Sequence, residues 1–217
     1  MDLEVIPAIL VKSREELVRR IELVKPYVRT VQIDVMDGKF VRNTTVTDFS
    51  DLPRKVNYEF HWMVENPGDY IREVPGKHMH MVHIETVSDW KEMEKVNEQA
   101  GGKLGLAFNP ETQLARVTPY LDKVSRFLVM TVNPGFDKQK YLPEMEEKMH
   151  ALRKLDPTID IEVDGGINLE TIGRAASAGA NKFDVASAIF GSGNIGKTIK
   201  DLEAIAKKCS DEAFKDV

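Results

Sequence analysis

Short apolar runs alternate with longer amphipathic stretches from one end of the chain to the other. The apolar runs fall at 5–10, 30–36, 58–64, 80–85, 103–108, 127–132, 160–164 and 182–189. Each has the length of a strand, and most are apolar on both faces, as parallel strands covered by helices are. The stretches between them read as helices. Ser13 and Glu16 form a capping box, after which Leu17, Ile21 and Val24 recur at helical spacing. Residues 88–99 are charged and open on Ser88-Asp89, a pair suited to capping, while 138–155 is the longest helix candidate. Asn168 caps a helix that Gly179 stops, and Ile195, Ile199, Leu202 and Ile205 mark a last amphipathic helix. The connection 43–55 carries the weakest signal and predicts only a short helix near Leu52. Eight strand–helix units in 217 residues predict an α/β fold, a single (β/α)8 TIM barrel over 1–217. A doubly wound open sheet is the structural rival.

Composition narrows the class. Thirty basic against 35 acidic side chains give a net charge of −5. That balance argues against a general nucleic-acid binder but leaves room for a local anion site. Cys209 is the only cysteine, so no intrachain disulfide forms, in keeping with a reducing cytosol. The longest uncharged run, 185–196, is too short to span a bilayer. The start Met1-Asp2-Leu3-Glu4 lacks the cationic opening of a signal peptide. The expectation is a soluble, cytoplasmic protein with no membrane partner.

A barrel builds its active site at the C-terminal ends of its strands, so polar residues there carry information. Gln32-Ile33-Asp34-Val35-Met36-Asp37-Gly38, His61-Trp62-Met63, His83-Ile84-Glu85, Met130-Thr131-Val132-Asn133-Pro134-Gly135-Phe136 and Glu162-Val163-Asp164-Gly165-Gly166 all fall at such ends. A carboxylate in an apolar strand is costly to bury alone. Asp34 and Asp164 either cap loop amides or face one mouth with His61, where they also make a divalent-metal set. His83 reads as a hydrogen-bonded structural residue. Met36, Met63 and Met130 either fill the core or form an apolar wall beside reacting atoms. Glycines and small hydroxyls after the last two strands, Gly165-Gly166 and Ala186-Ser187, suit a sugar phosphate.

The ordered series Ile6-Pro7-Ala8-Ile9-Leu10, Asp34-Val35-Met36-Asp37-Gly38-Lys39-Phe40-Val41, His61-Trp62-Met63, Asn109-Pro110-Glu111-Thr112, Met130 to Phe136 and Glu162 to Ile167 resembles the ribulose-phosphate 3-epimerase family nearly end to end. The resemblance implies a barrel of the ribulose-phosphate-binding type that interconverts D-ribulose 5-phosphate and D-xylulose 5-phosphate. It implies Asp34 and Asp164 as acid and base on opposite faces of carbon 3. It further implies a divalent metal (Zn, Mn, Fe or Mg) held by Asp34, His61 and Asp164, an apolar wall of Met36, Met63 and Met130, and a homo-oligomer. Departures cluster in the site. Gln32 stands in place of a second metal-binding histidine and is expected to offer a carbonyl oxygen. Ala8 replaces a substrate-contacting serine, Ala186 a glycine before Ser187, and Asp137-Lys138 a Gly-Gly after Phe136. Substrate contacts are expected from Gly135, Gly165, Gly166 and Ser187, with Lys138 either a phosphate contact or a solvated loop charge. Rival readings are an epimerase for another ketose phosphate, such as a six-carbon one, and a sugar-phosphate binder that has lost catalysis.

Overall fold

The computed structural model describes residues 2–135 and 139–215. Its strands are β1 (Glu4–Ile9), β2 (Thr30–Met36), β3 (Asn57–Met63), β4 (Met79–His83), β5 (Lys103–Phe108), β6 (Arg126–Met130), β7 (Asp160–Asp164) and β8 (Lys182–Val185). They pair in parallel in chain order, and β8 returns to β1 through the register Glu4↔Lys182 to Pro7↔Val185. That last ladder makes a closed barrel and removes the open-sheet rival. Around it lie α1 (Arg14–Val24), α2 (Pro67–Glu73), α3 (Trp90–Ala100), α4 (Leu114–Val117), α5 (Glu146–Leu155), α6 (Ile172–Ser177), α7 (Ser187–Phe190) and α8 (Ile195–Ala213).

Local chemistry explains the helix starts. The side chains of Ser13, Asp89 and Asn194 accept from the amides of Glu16, Glu92 and Lys197, satisfying donors that a first turn leaves open. Leu17, Ile21 and Val24 bury one stripe of α1. Four expectations are corrected. The strand expected over 182–189 stops at Val185, and its apolar continuation turns into α7. The helix expected over 138–155 is confined to α5, preceded by a 3-10 turn over Pro143–Met145, and α8 is longer. Asn168 does not cap α6 itself: its side chain accepts from the amides of Glu170 and Thr171 one turn earlier. No helix forms near Leu52; residues 37–56 join β2 to β3 without one.

Alternation along each strand sorts side chains into two compartments. Val31, Ile33, Val35, Phe60, Trp62, Phe127, Val163 and Phe183 face the helices and form one continuous core. Where a helix is missing, aromatic rings close the wall: Phe49 packs edge-on against Phe60 at 5.1 Å and Trp62 at 6.2 Å, and Trp62 Nε1 donates to His80 Nδ1 at 3.1 Å.

The opposite faces line the barrel axis, and low in the barrel they are charged. Arg126 Nη1 sits 2.6 Å from Glu59 Oε2 and also bonds Glu162 Oε2. Lys182 Nζ is 3.3 Å from Glu4 Oε2 and from Asp2 Oδ2. Such interiors are more often filled by branched aliphatic side chains. Higher up, Met81, Ala107, Leu128, Met130 and Val132 form an apolar patch, and Met36, Val41 and Met63 a second. Among the described residues no helix is long and apolar enough to cross a membrane.

Candidate active site

The register that aligns Asp34 on β2 with His61 on β3, and Met36 with Met63, brings the strand-end residues of the sequence to one mouth. Across the barrel, β7 delivers Asp164. His61 Nδ1 lies 3.3 Å from Asp34 Oδ1 and 3.2 Å from Asp164 Oδ2. Asp34, Met36, Met63, Met130, Gly135, Asp164, Gly165, Gly166 and Ser187 line one cavity there. Lys138 lies outside the described residues.

The loop after β7 requires its glycines. Gly165 has φ +120° and Gly166 φ +67°, conformations that disfavour a side chain. A Cβ on Gly165 would fall 2.4 Å from Val132, and one on Gly166 2.5 Å from the Tyr141 amide nitrogen. Thr131 fastens the turn by donating its hydroxyl to the carbonyls of Asp164 and Gly165 at 2.9 and 2.6 Å.

Behind His61 runs a chain of hydrogen bonds that fixes its protons. Glu85 Oε1 accepts from the Asn109 amide at 3.0 Å and from the Thr112 hydroxyl. Burial raises the Glu85 carboxyl, but His83, Thr112 and the Asn109 amide outweigh it and bring it to about 2, so Glu85 is ionised. Its Oε2 lies 3.2 Å from His83 Nδ1, which must donate. Burial, opposed by Glu85, lowers His83 to about 4 and keeps it neutral. Nε2 of His83 is therefore bare, and the Nε2 of His61 at 2.9 Å must donate to it. The remaining nitrogen of His61 points between the two carboxylates. His83 is hydrogen-bonded as the sequence suggests, and one of its two partners is His61.

That geometry fits a cation. His61 Nδ1 is buried with no hydrogen-bond partner, and it lies with one oxygen each of Asp34 and Asp164 inside a 4.8 Å circle. A lone pair facing two carboxylates is repulsive until positive charge lies between them. Without a metal a proton takes the place: burial lowers the imidazole, yet Asp164 and Asp34 override it and raise His61 to about 9. Burial, and secondarily the Asp164 charge, lifts Asp34 to about 6. Gln32 departs from expectation. It turns its amide nitrogen, not its carbonyl oxygen, toward the carboxylates, 3.0 Å from Asp34 Oδ1 and 3.4 Å from Asp164 Oδ2, and its Oε1 is left without a partner. Half a turn of the amide would exchange the two.

Two further carboxyls went unremarked in the sequence. Glu59 and Asp184 face the axis with Glu162, the three offering ligand atoms within 4.8 Å of one another. Burial and the Glu162 charge push Glu59 well above the usual carboxylate range. Burial, then Glu162 and Asp164, do the same to Asp184. Two acidic residues spaced by two in strands β3 and β8 were the available signal, since period-two spacing puts Glu59 with His61 and Asp184 with Lys182.

Two carboxylates and a buried imidazole converging at the C-terminal mouth of a closed parallel barrel define a (β/α)8 barrel whose mouth carries groups that could hold a metal ion. A family model described as the ribulose-phosphate 3 epimerase family matches residues 4–190. The chain is 41% identical over 182 residues to a ribulose-phosphate 3-epimerase, cytoplasmic isoform, of Oryza sativa subsp. japonica, covering 79% of this chain and 80% of that one. It is 34% identical over 194 residues to the ribulose-phosphate 3-epimerase of Methanocaldococcus jannaschii, covering 84% and 81%. The crystal structure of 3-hexulose-6-phosphate synthase from Salmonella typhimurium superposes with TM-score 0.69 at 17% identity, over 95% of this chain and all of that one, a likeness of fold. The chain belongs to the ribulose-phosphate 3-epimerase family.

Proposed function

We propose that this protein inverts carbon 3 of a ketose phosphate, taking D-ribulose 5-phosphate to D-xylulose 5-phosphate. The observation that carries the reading is the pair Asp34 and Asp164 meeting across His61 Nδ1 at the barrel mouth, in a chain of the epimerase family.

With carbon 3 held between the two carboxylates, one takes its proton and the other returns one to the opposite face, which is what inversion requires. Asp34, lifted toward neutrality by burial, is suited to alternate between the protonated and ionised forms near pH 6. Met36, Met63 and Met130 wall off water from the reacting carbon. The amides at Gly165-Gly166 and the Ser187 hydroxyl receive the phosphate, and Gly135 closes the near side of the cavity. Asp34, His61 and Asp164 would hold a divalent cation, which would supply positive charge beside the substrate oxygens. One nitrogen and two carboxylate oxygens make a harder set than two imidazoles, favouring Mn²⁺, Fe²⁺ or Mg²⁺ over Zn²⁺; Gln32 joins as a ligand only after its amide turns over. The reading includes a cytoplasmic, self-associating enzyme of one barrel domain.

The test is proton exchange. Incubation with ribulose 5-phosphate in heavy water should place deuterium at carbon 3 and produce xylulose 5-phosphate. Absence of both would sink the reading.

A further inference from the structure

Asp184 is 2% exposed, its one protein partner is the carboxylate of Glu162, with which it shares a proton, and neither of its oxygens receives a donor from an amide or a basic side chain. The nearby guanidinium of Arg126 is committed to Glu59 and Glu162. Asp184 nevertheless lines the same cavity as Asp34 and Asp164. A buried carboxyl oxygen left without a donor beside a cavity points to a partner that arrives with the ligand.

Its place on the barrel says which part of a ligand. Asp184 pairs in register with Asp164 on the neighbouring strand. Two residues further along the chain, just past the end of β8, comes Ala186, followed by Ser187 at the phosphate end of the cavity. It therefore sits between the group that reaches the inverted carbon and the loop that receives the phosphate. In a pentulose 5-phosphate carbons 4 and 5 lie between those points, and of the two only carbon 4 bears a free hydroxyl. We infer that Asp184 binds the carbon 4 hydroxyl and so sets the spacing between reacting carbon and phosphate that this site accepts; the inference rests on the epimerase reading above. A hydroxyl both donates and accepts, so it pairs with Asp184 in either protonation state. A six-carbon ketose 6-phosphate has two hydroxyl-bearing carbons in that interval, 4 and 5, and places its hydroxyls out of step with this single carboxyl.

The experiment compares ribulose 5-phosphate with its 4-deoxy analogue on wild type, Asp184→Asn and Asp184→Ala, by calorimetric dissociation constant and by carbon 3 deuterium exchange. Wild type should bind the 4-deoxy compound roughly tenfold more weakly, about one buried hydrogen bond. Asp184→Asn, which keeps donor and acceptor, should retain most of that preference. Asp184→Ala should bind both compounds within about twofold of each other, a ratio that general loosening of the fold does not alter. Discrimination of less than twofold by wild type, or undiminished discrimination by Asp184→Ala, overturns the assignment. If wild type binds ribulose 5-phosphate without exchanging its carbon 3 proton, the epimerase reading fails while the binding ratios still judge Asp184. No binding by wild type overturns both.

Discussion

His61 and His83 meet nitrogen to nitrogen, Nε2 to Nε2 at 2.9 Å, so one proton serves both rings. The carboxylate of Glu85 decides which ring owns it, because its two oxygens are engaged from opposite sides by His83 and by the Asn109 amide with Thr112. A glutamine at 85 cannot accept on both sides. The Asn109 amide cannot turn away, so Glu85→Gln presents its NH2 to His83. That drives the proton of His83 to Nε2 and the proton of His61 to Nδ1, where the metal would bind. Glu85→Gln should weaken Mn²⁺ binding about 10- to 100-fold, read by metal-competition titration. Unchanged affinity would show that the relay does not set the tautomer.

Asp34→Asn and Asp164→Asn keep side-chain shape and remove a base. Each should lower epimerisation by roughly 10²–10⁴-fold while leaving the melting temperature near that of wild type. A coupled assay for xylulose 5-phosphate checks the rate. Near-normal turnover in Asp164→Asn would dismiss the two-carboxylate assignment.

At position 32 the amide nitrogen now answers the carboxylates with hydrogen bonds. Gln32→His replaces that donor with an imidazole nitrogen able to ligate. Zn²⁺ affinity should rise relative to Mn²⁺, measured by metal content after dialysis against both ions. An unaltered Zn²⁺/Mn²⁺ ratio would place residue 32 outside the coordination sphere.

Arg126 is the cation that serves both Glu59 and Glu162 in the barrel floor. Arg126→Met leaves the buried Glu162 carboxylate without a counter-charge and should cost about 3–5 kcal/mol of stability, measured by urea denaturation. Adding Glu162→Gln should recover much of it, since removing the charge Arg126 faced removes the imbalance.

Burial, with a smaller contribution from His78, lowers His80 to about 3. The unfolded chain titrates it near 6.5, so between those values the unfolded state binds the extra proton. The stability contributed by neutral His80 is complete above about pH 6.5 and is lost as pH falls toward 3, at up to about 1.4 kcal/mol per pH unit. His80→Asn keeps an acceptor for Trp62 and does not titrate. It should lose less stability than wild type between pH 7 and pH 5; parallel losses in urea melts would contradict the assignment.

Much of the barrel was legible because its strands are apolar on both faces and its helices carry caps. The sequence ranges for β5 and β7 coincide with the structure, since Gly101-Gly102 and Asp164-Gly165 bound them sharply. The end of β8 was not legible: Val185 to Phe190 stays apolar while the backbone changes from strand to helix, and a short apolar run has no period to betray the change. Asp34, His61 and Asp164 were found because they lie at strand ends. His83 stood out for the same reason, read as a hydrogen-bonded structural residue, but its partner His61, 22 positions away, was not legible; Glu59 and Asp184 did not stand out at all, because their meaning depends on Glu162, 103 and 22 positions away. Only the register of neighbouring strands brings these together.

The wall between β2 and β3 is closed by rings instead of a helix, and β3 makes that a mechanical matter. Trp62 faces outward under Phe49 while His61, its neighbour in the chain, faces inward to Asp34 and Asp164. The same strand carries both, and Trp62 is held on its outer side by Phe49, by Tyr70 stacked at 5.7 Å and by its bond to His80. Phe49→Ala removes one of these supports and should shift Trp62 together with His61 on the shared backbone, a movement read as a change in tryptophan emission.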